Sequence, residues 1–161
     1  MEANRIYNFN PGPATLPLPV LKEAQAEFLN FRGSGMSILE ISHRAKEYAA
    51  MQAEAKADIK ELMGLGDDYE VLFMTGGAST QFAFLPLNFA SKEHPGSYVL
   101  SGSFAEKAYK EAEHLGIGEI VASSKEGGYR HIPTQDELKI DENAAYVHLC
   151  YNNTIYGTEY H

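Results

Sequence analysis

A chain of 161 residues that is 44% apolar and 22% charged has enough material for one buried core and lies far from the composition of disordered or collagen-like sequences. Its 22 acidic residues against 13 basic ones give a net charge of -9, which repels a phosphodiester backbone and argues against nucleic acid as a partner. A small anion is still admissible, because a few local donors can hold one phosphate against an unfavourable average.

Asn10-Pro11-Gly12-Pro13, Pro17 and Pro19 interrupt regular structure, so residues 1–18 are expected to form an extended arm. From Pro19 onward, Leu21, Ala24, Phe28 and Phe31 recur at three- and four-residue steps, which predicts one helix ended by Gly33. Ser37-Ile38-Leu39-Glu40 has capping-box spacing. After Ser42-His43-Arg44 a long helix is predicted, with Tyr48, Met51, Ala55, Ile59 and Leu62 on one side and Gly64 and Gly66 as its stop. Glu70 to Met74 reads as a short strand, followed by the turn Thr75-Gly76-Gly77-Ala78-Ser79-Thr80 and a helix that Pro86 disturbs. Ser97 to Leu100 reads as a buried strand, Phe104 to Leu115 as a helix closed by Gly116, and Glu119 to Ala122 as another strand. A short helical candidate spans Gln135 to Leu138, and Ala145 to Cys150 reads as a fourth strand. Strands alternating with helices, without period-two polarity, predict an α/β fold with a largely parallel sheet covered on both faces.

Four places can carry chemistry. Paired glycines before a helix start at Ala78 and Ser79 leave amide N–H groups free for a phosphate; alternatively the glycines only make the turn and Ser79 or Thr80 only caps the helix. Arg44, with His43 beside it, is one of four arginines and could hold a carboxylate or phosphate through two parallel hydrogen bonds, or could simply be a surface arginine. Phe104 follows a strand's carboxyl end, where open α/β sheets place ligands, and is either a stacking partner for a planar ring or a core residue. Asn152-Asn153-Thr154 lies just past the last strand and is either a ligand edge or a loop cap. No His-Glu-x-x-His, Cys-x-x-Cys or Gly-x-Ser-x-Gly pattern occurs, so neither a metal site nor a serine hydrolase is expected. The single Cys150 excludes an internal disulfide and fits a reducing compartment, and no apolar stretch reaches signal-peptide or membrane-spanning length; a cytoplasmic protein is expected.

Tyr7-Asn8-Phe9-Asn10-Pro11-Gly12-Pro13-Ala14, Gly35-Met36-Ser37-Ile38-Leu39-Glu40-Ile41-Ser42-His43-Arg44, Phe73-Met74-Thr75-Gly76-Gly77-Ala78-Ser79-Thr80-Gln81-Phe82 and Tyr151-Asn152-Asn153-Thr154-Ile155-Tyr156-Gly157 together resemble the bacillus-like phosphoserine aminotransferases, pyridoxal-phosphate enzymes of the aspartate-aminotransferase fold. The resemblance implies transfer of an amino group from L-glutamate to 3-phosphohydroxypyruvate in serine biosynthesis, with the phosphorylated hydroxythreonine route to pyridoxine as a further use in some members. It implies cofactor contacts at Gly77, Ala78, Ser79, Phe104 and Thr154, an aromatic at Phe104 where some relatives carry Trp, a substrate-anion site at His43 and Arg44, and an active site shared in a homodimer. It also implies that residues 19–161 are the N-terminal part of a large cofactor-binding domain. On this basis the Schiff-base lysine, the aspartate pairing the pyridinium nitrogen and the small domain lie beyond residue 161, none of the nine lysines being that lysine. The 161 residues alone are therefore expected to be inactive, or active only with a complementary C-terminal fragment. Another aminotransferase or desulfurase of the same fold, or a non-catalytic phosphate-binding fragment, are the alternatives.

Overall fold

The computed structural model describes residues 5–10 and 12–161 and divides them into two compact units, one ending at Leu72 and one running from Phe73 to His161. Met1–Asn4 and Pro11, part of the expected arm, lie outside the described residues.

In the first unit the described residues before Leu18 form neither helix nor strand, and the Thr15 hydroxyl donates to the Asn8 carbonyl at 3.0 Å while the Asn8 side-chain amide donates to the Pro13 carbonyl at 2.9 Å. Helix α1 (Leu18–Glu27) starts with proline in its first turn, as the fixed φ of that residue favours. It does not run on to Gly33. Asn30 departs to φ -149° and its side chain accepts from the Gly35 amide at 2.7 Å, the kind of local side-chain bond that competes with a helix. Phe31–Gly33 then forms a separate 3-10 turn. Helix α2 (Lys46–Met63) ends at Gly64, whose φ of 64° is the left-handed conformation of a glycine C-cap. The Arg32 guanidinium grips Glu54 of α2 by two hydrogen bonds of 3.0 and 2.8 Å, holding that carboxyl below its usual range. Val20, Phe28, Phe31, Ile38 and Met51 line a cavity of about 530 Å³ between these elements.

The second unit contains α3 (Gly77–Phe89), β1 (Gly96–Leu100), α4 (Ser103–Leu115), β2 (Gly118–Ser123), β3 (Tyr146–His148), β4 (Asn152–Asn153) and β5 (Thr158–Glu159). Strands β2, β1 and β3 form a parallel sheet in that order, and β4 and β5 pair as a small antiparallel hairpin. All five residues of β1 are buried, so the sheet is covered on both faces at its centre, as the lack of period-two polarity predicted. Ala105, Ala108 and Ala112, at steps of three and four, bring α4 close onto Tyr98 and Leu100. Phe82 of α3 and Tyr109 of α4 pack on the same cluster.

Three further expectations are corrected. Glu70–Met74 is not a strand: no described strand pairs with it, and Leu72, Phe73 and Met74 are all largely exposed, because apolar residues make a strand only where a neighbour supplies the other half of each hydrogen bond. Pro86 does not end α3, which continues to Phe89; the ring is buried within the helix, and the helix remains closed beyond it by the Ala90 amide on the Pro86 carbonyl at 3.0 Å. The helical candidate near Gln135 is only a 3-10 turn, Gln135–Glu137.

Candidate functional site

Phe89 is joined to β1 by only six residues, Ala90–Pro95, so α3 runs back along the sheet from the amino end of β1. Its N-terminus therefore lies toward the strands' carboxyl ends, where Phe82 meets His148 of β3 with ring centroids 5.9 Å apart. Helix α4 leaves β1 at the same edge. Two helix starts consequently flank the carboxyl edge of one parallel sheet, the usual place for a ligand in this architecture.

The α3 start is open. Gly76 and Gly77 take φ values of 88° and 60°, conformations that glycine alone adopts without cost. A Cβ on Gly76 would also collide with the Thr80 hydroxyl. No side chain caps the helix; the Thr80 hydroxyl donates to the Gly76 carbonyl at 2.9 Å instead. Gly77, Ala78 and Ser79 are exposed, and their first-turn amides carry the positive end of the helix dipole. That donor set fits a phosphate.

At the second helix start, Phe104 is 40% exposed. The Lys107 ammonium lies 5.2 Å from the centre of its ring, over the ring face. Ser101, Gly102 and Ser103, just before Phe104, meet the β4–β5 hairpin. Asn153 is buried and its side-chain amide donates to the Ser101 hydroxyl at 3.2 Å; the Tyr156 and Ser103 hydroxyls are 2.9 Å apart. Thr154, exposed between those anchors, thus shares one edge with Phe104. Behind them, Tyr156 packs on Tyr129 at a centroid distance of 4.9 Å, and Lys125 pairs with Glu106 at 2.6 Å, holding the carboxyl low and the ammonium high.

Below the edge, the His148 ring lies 5.2 Å from Tyr98, and its buried Nδ1 has no hydrogen-bond partner among the described residues. Burial pushes its pKa down, so the ring is neutral at pH 7. The sequence gives no role to His148 or Tyr156, and Asn153 stands there only as one of three polar residues past a strand. Asn153 and Tyr156 sit in a stretch whose hairpin has only two residues per strand, too short to leave a pattern.

His43 and Arg44 belong to the first unit, the other five expected site residues to the second. They occupy the turn before α2, closed by the Arg44 amide on the Ser42 hydroxyl at 3.2 Å and the Ala45 amide on the Ser42 carbonyl at 2.8 Å. Both are exposed, and neither side chain has a hydrogen bond or ion pair among the described residues.

The class-V aminotransferase family model matches residues 6–161. The chain belongs to that family. Among the relatives of this class-V aminotransferase chain, the phosphoserine aminotransferase of Geobacillus kaustophilus is 51% identical over 156 residues, covering 97% of this chain and 43% of its own length. That of Desulfatibacillum aliphaticivorans is 52% identical over 158 residues, covering 98% and 43%. The solved phosphoserine aminotransferase of Bacillus circulans subsp. alkalophilus superposes with a TM-score of 0.92 at 47% identity, over 98% of this chain and 44% of that one. A pyridoxal-phosphate-bound phosphoserine aminotransferase from Trichomonas vaginalis gives 0.89 at 39% identity, over 97% and 47%. The chain therefore spans less than half the length of these relatives. Among the described residues no helix is long and apolar enough to cross a membrane.

Proposed function

We propose that this chain is the N-terminal part, from residue 19 onward, of the large domain of a phosphoserine aminotransferase, with residues 1–18 as an arm, and that its carboxyl sheet edge holds pyridoxal 5'-phosphate. The observation that carries this is the uncapped α3 start beside an exposed aromatic at the same edge. The amides of Gly77, Ala78 and Ser79 receive the phosphate, the free face of Phe104 stacks on the ring, and Thr154 offers its hydroxyl at the ring's edge. When bound, the cofactor supplies the electron sink for amino-group transfer.

Arg44 and His43 hold the substrate anion. The same planar fork suits the carboxylate of L-glutamate and the phosphate of 3-phosphohydroxypyruvate, which is what a reaction with two alternating anionic substrates requires. The active protein is cytoplasmic and works as a homodimer. The 161 residues alone do not transaminate, because none of their nine lysines matches the family's anchoring lysine; Lys125 is engaged by Glu106 and Lys107 lies over the Phe104 ring.

The test has two arms. Calorimetric titration with pyridoxal 5'-phosphate should show one site per chain that Phe104→Ala weakens, and 3-phosphohydroxypyruvate with L-glutamate should be turned over by the assembled parent enzyme but not by the 161-residue chain. Preference for glyoxylate over 3-phosphohydroxypyruvate would reassign the substrate; loss of neither binding nor rate on Phe104→Ala would remove the site.

A further inference from the structure

We infer that the β4–β5 hairpin is a positioning clamp, in which the Tyr156–Ser103 hydroxyl pair sets the spacing between Phe104 and Thr154. This deepens the cofactor assignment above and rests on it.

The hairpin touches the loop between β1 and α4 at two points that bracket one glycine. On one side the buried Asn153 side-chain amide donates to Ser101, and on the other the Tyr156 hydroxyl meets Ser103. Between them, a Cβ on Gly102 would lie 2.5 Å from Asn153 Oδ1 and 3.3 Å from the Tyr156 ring. The hairpin approaches so closely there that no side chain fits. Gly102 is extended, with φ 173°, so this approach, not backbone freedom, is what calls for glycine. The same two anchors bracket Thr154 in the sequence, and Ser103 directly precedes Phe104.

Each anchor is braced from behind. The Tyr156 ring packs on Tyr129, a buried residue held at φ 59°, a conformation that a bulky side chain adopts only when its surroundings impose it. The turn that carries Asn153 is closed by the backbone amides of Tyr156 and Gly157, which both donate to the Asn153 carbonyl, at 3.1 and 2.8 Å. Rotation of the Tyr156 side chain away from Ser103 would therefore free one end of the clamp while Asn153 kept the other, changing where Thr154 lies relative to Phe104 without unfolding either.

The experiment is calorimetric titration of the purified protein, cleared of cofactor, with two probes. Pyridoxine 5'-phosphate carries the ring and the phosphate but has no aldehyde, so it reports binding without covalent capture. Inorganic phosphate reports the α3 start alone. Tyr156→Phe and Ser103→Ala should each weaken pyridoxine phosphate about three- to tenfold, the range of one hydrogen bond. The double variant should be no worse than the weaker single, and Ser103→Thr, which keeps a hydroxyl, should restore affinity. Phosphate affinity should move less than about twofold throughout. If Tyr156→Phe does not fold, the Ser103→Ala and Ser103→Thr pair carries the comparison. Additive losses, equal losses for both probes, or no loss for Tyr156→Phe while Phe104→Ala still weakens the ring probe would overturn the clamp and leave the cofactor site standing. No effect of Phe104→Ala would overturn both.

Discussion

Gly102→Ala is the sharpest single perturbation of the sheet edge. The added methyl would sit 2.5 Å from Asn153 Oδ1, 3.1 Å from its Cγ and 3.3 Å from the Tyr156 ring, so Asn153 must move. Asn153 is 2% exposed and its side-chain amide is spent on Ser101; moving it breaks that bond in a place where water does not replace it. Overpacking costs about 1 to 3 kcal/mol and an orphaned buried polar group about 1 to 3 kcal/mol. The two are alternatives in part, since breaking the bond relieves the clash, and a loss of about 2 to 3 kcal/mol is expected. Urea denaturation followed by circular dichroism measures it, with an unchanged slope showing that the midpoint shift is a stability change. In an Asn153→Ala background, where the obstructing side chain is gone, the same methyl should cost less than about 1 kcal/mol, coupling of the size seen for residues in contact. A Gly102→Ala loss below about 0.5 kcal/mol, or the same loss in both backgrounds, would refute the close approach.

Ser79→Asp places a carboxylate on the first turn of α3, where it suits the helix dipole but occupies the anion site; thermal stability should hold or rise while phosphate affinity falls at least about tenfold by calorimetry. Arg44→Lys keeps the charge but loses the planar fork, so KM for 3-phosphohydroxypyruvate in the assembled enzyme should rise more than kcat falls, with Arg44→Gln worse still; equal kinetics for all three would remove Arg44 from the substrate site. Burial holds the folded pKa of His148 below 6.5, so the unfolded chain binds the extra proton first: stability is full above about pH 6.5 and declines as pH falls from there toward the folded pKa. His148→Phe, which fills the same aromatic contact with Phe82 and Tyr98, should flatten that slope in urea titrations between about pH 7 and pH 5.

The sheet was legible because its central strand carries no charge at any position and is followed by a glycine-closed helix, a pattern that survives in one dimension. Gly64 and Gly116 stopped α2 and α4 where expected. The failures share a different cause. Glu70–Met74 has strand composition, but a strand is a property of two chains of atoms and this one has no described partner. The end of α1 was set by the Asn30 side chain reaching Gly35, an interaction that apolar spacing does not record. Ser37 and Glu40 do bond, through the Ser37 amide on the Glu40 carboxylate at 3.0 Å, yet they close a turn and not a helix start. Thr134 and Glu137 make the reciprocal pair in full, in a stretch where spacing suggested only a short helix. Of the site, the glycine pair was visible as composition before a helix, and Phe104 as an aromatic just past a strand. The anchoring roles of Asn153 and Tyr156 were not, since they come from Ser101 and Ser103, which are more than fifty residues away in sequence.

The order β2-β1-β3 also has a consequence in time. The central strand is made first, and both of its neighbours come later in the chain. Tyr98 and Tyr146, whose hydroxyls meet at 2.6 Å, are 48 residues apart, which a ribosome takes roughly 2 to 10 s to add. Through that interval β1 has at most one flank covered, and long-range parallel β pairing is slow compared with helix formation. Helices α3 and α4 can form at once, but β1 waits for its second neighbour, and that side of the strand stays open on the nascent chain until Tyr146–His148 emerges.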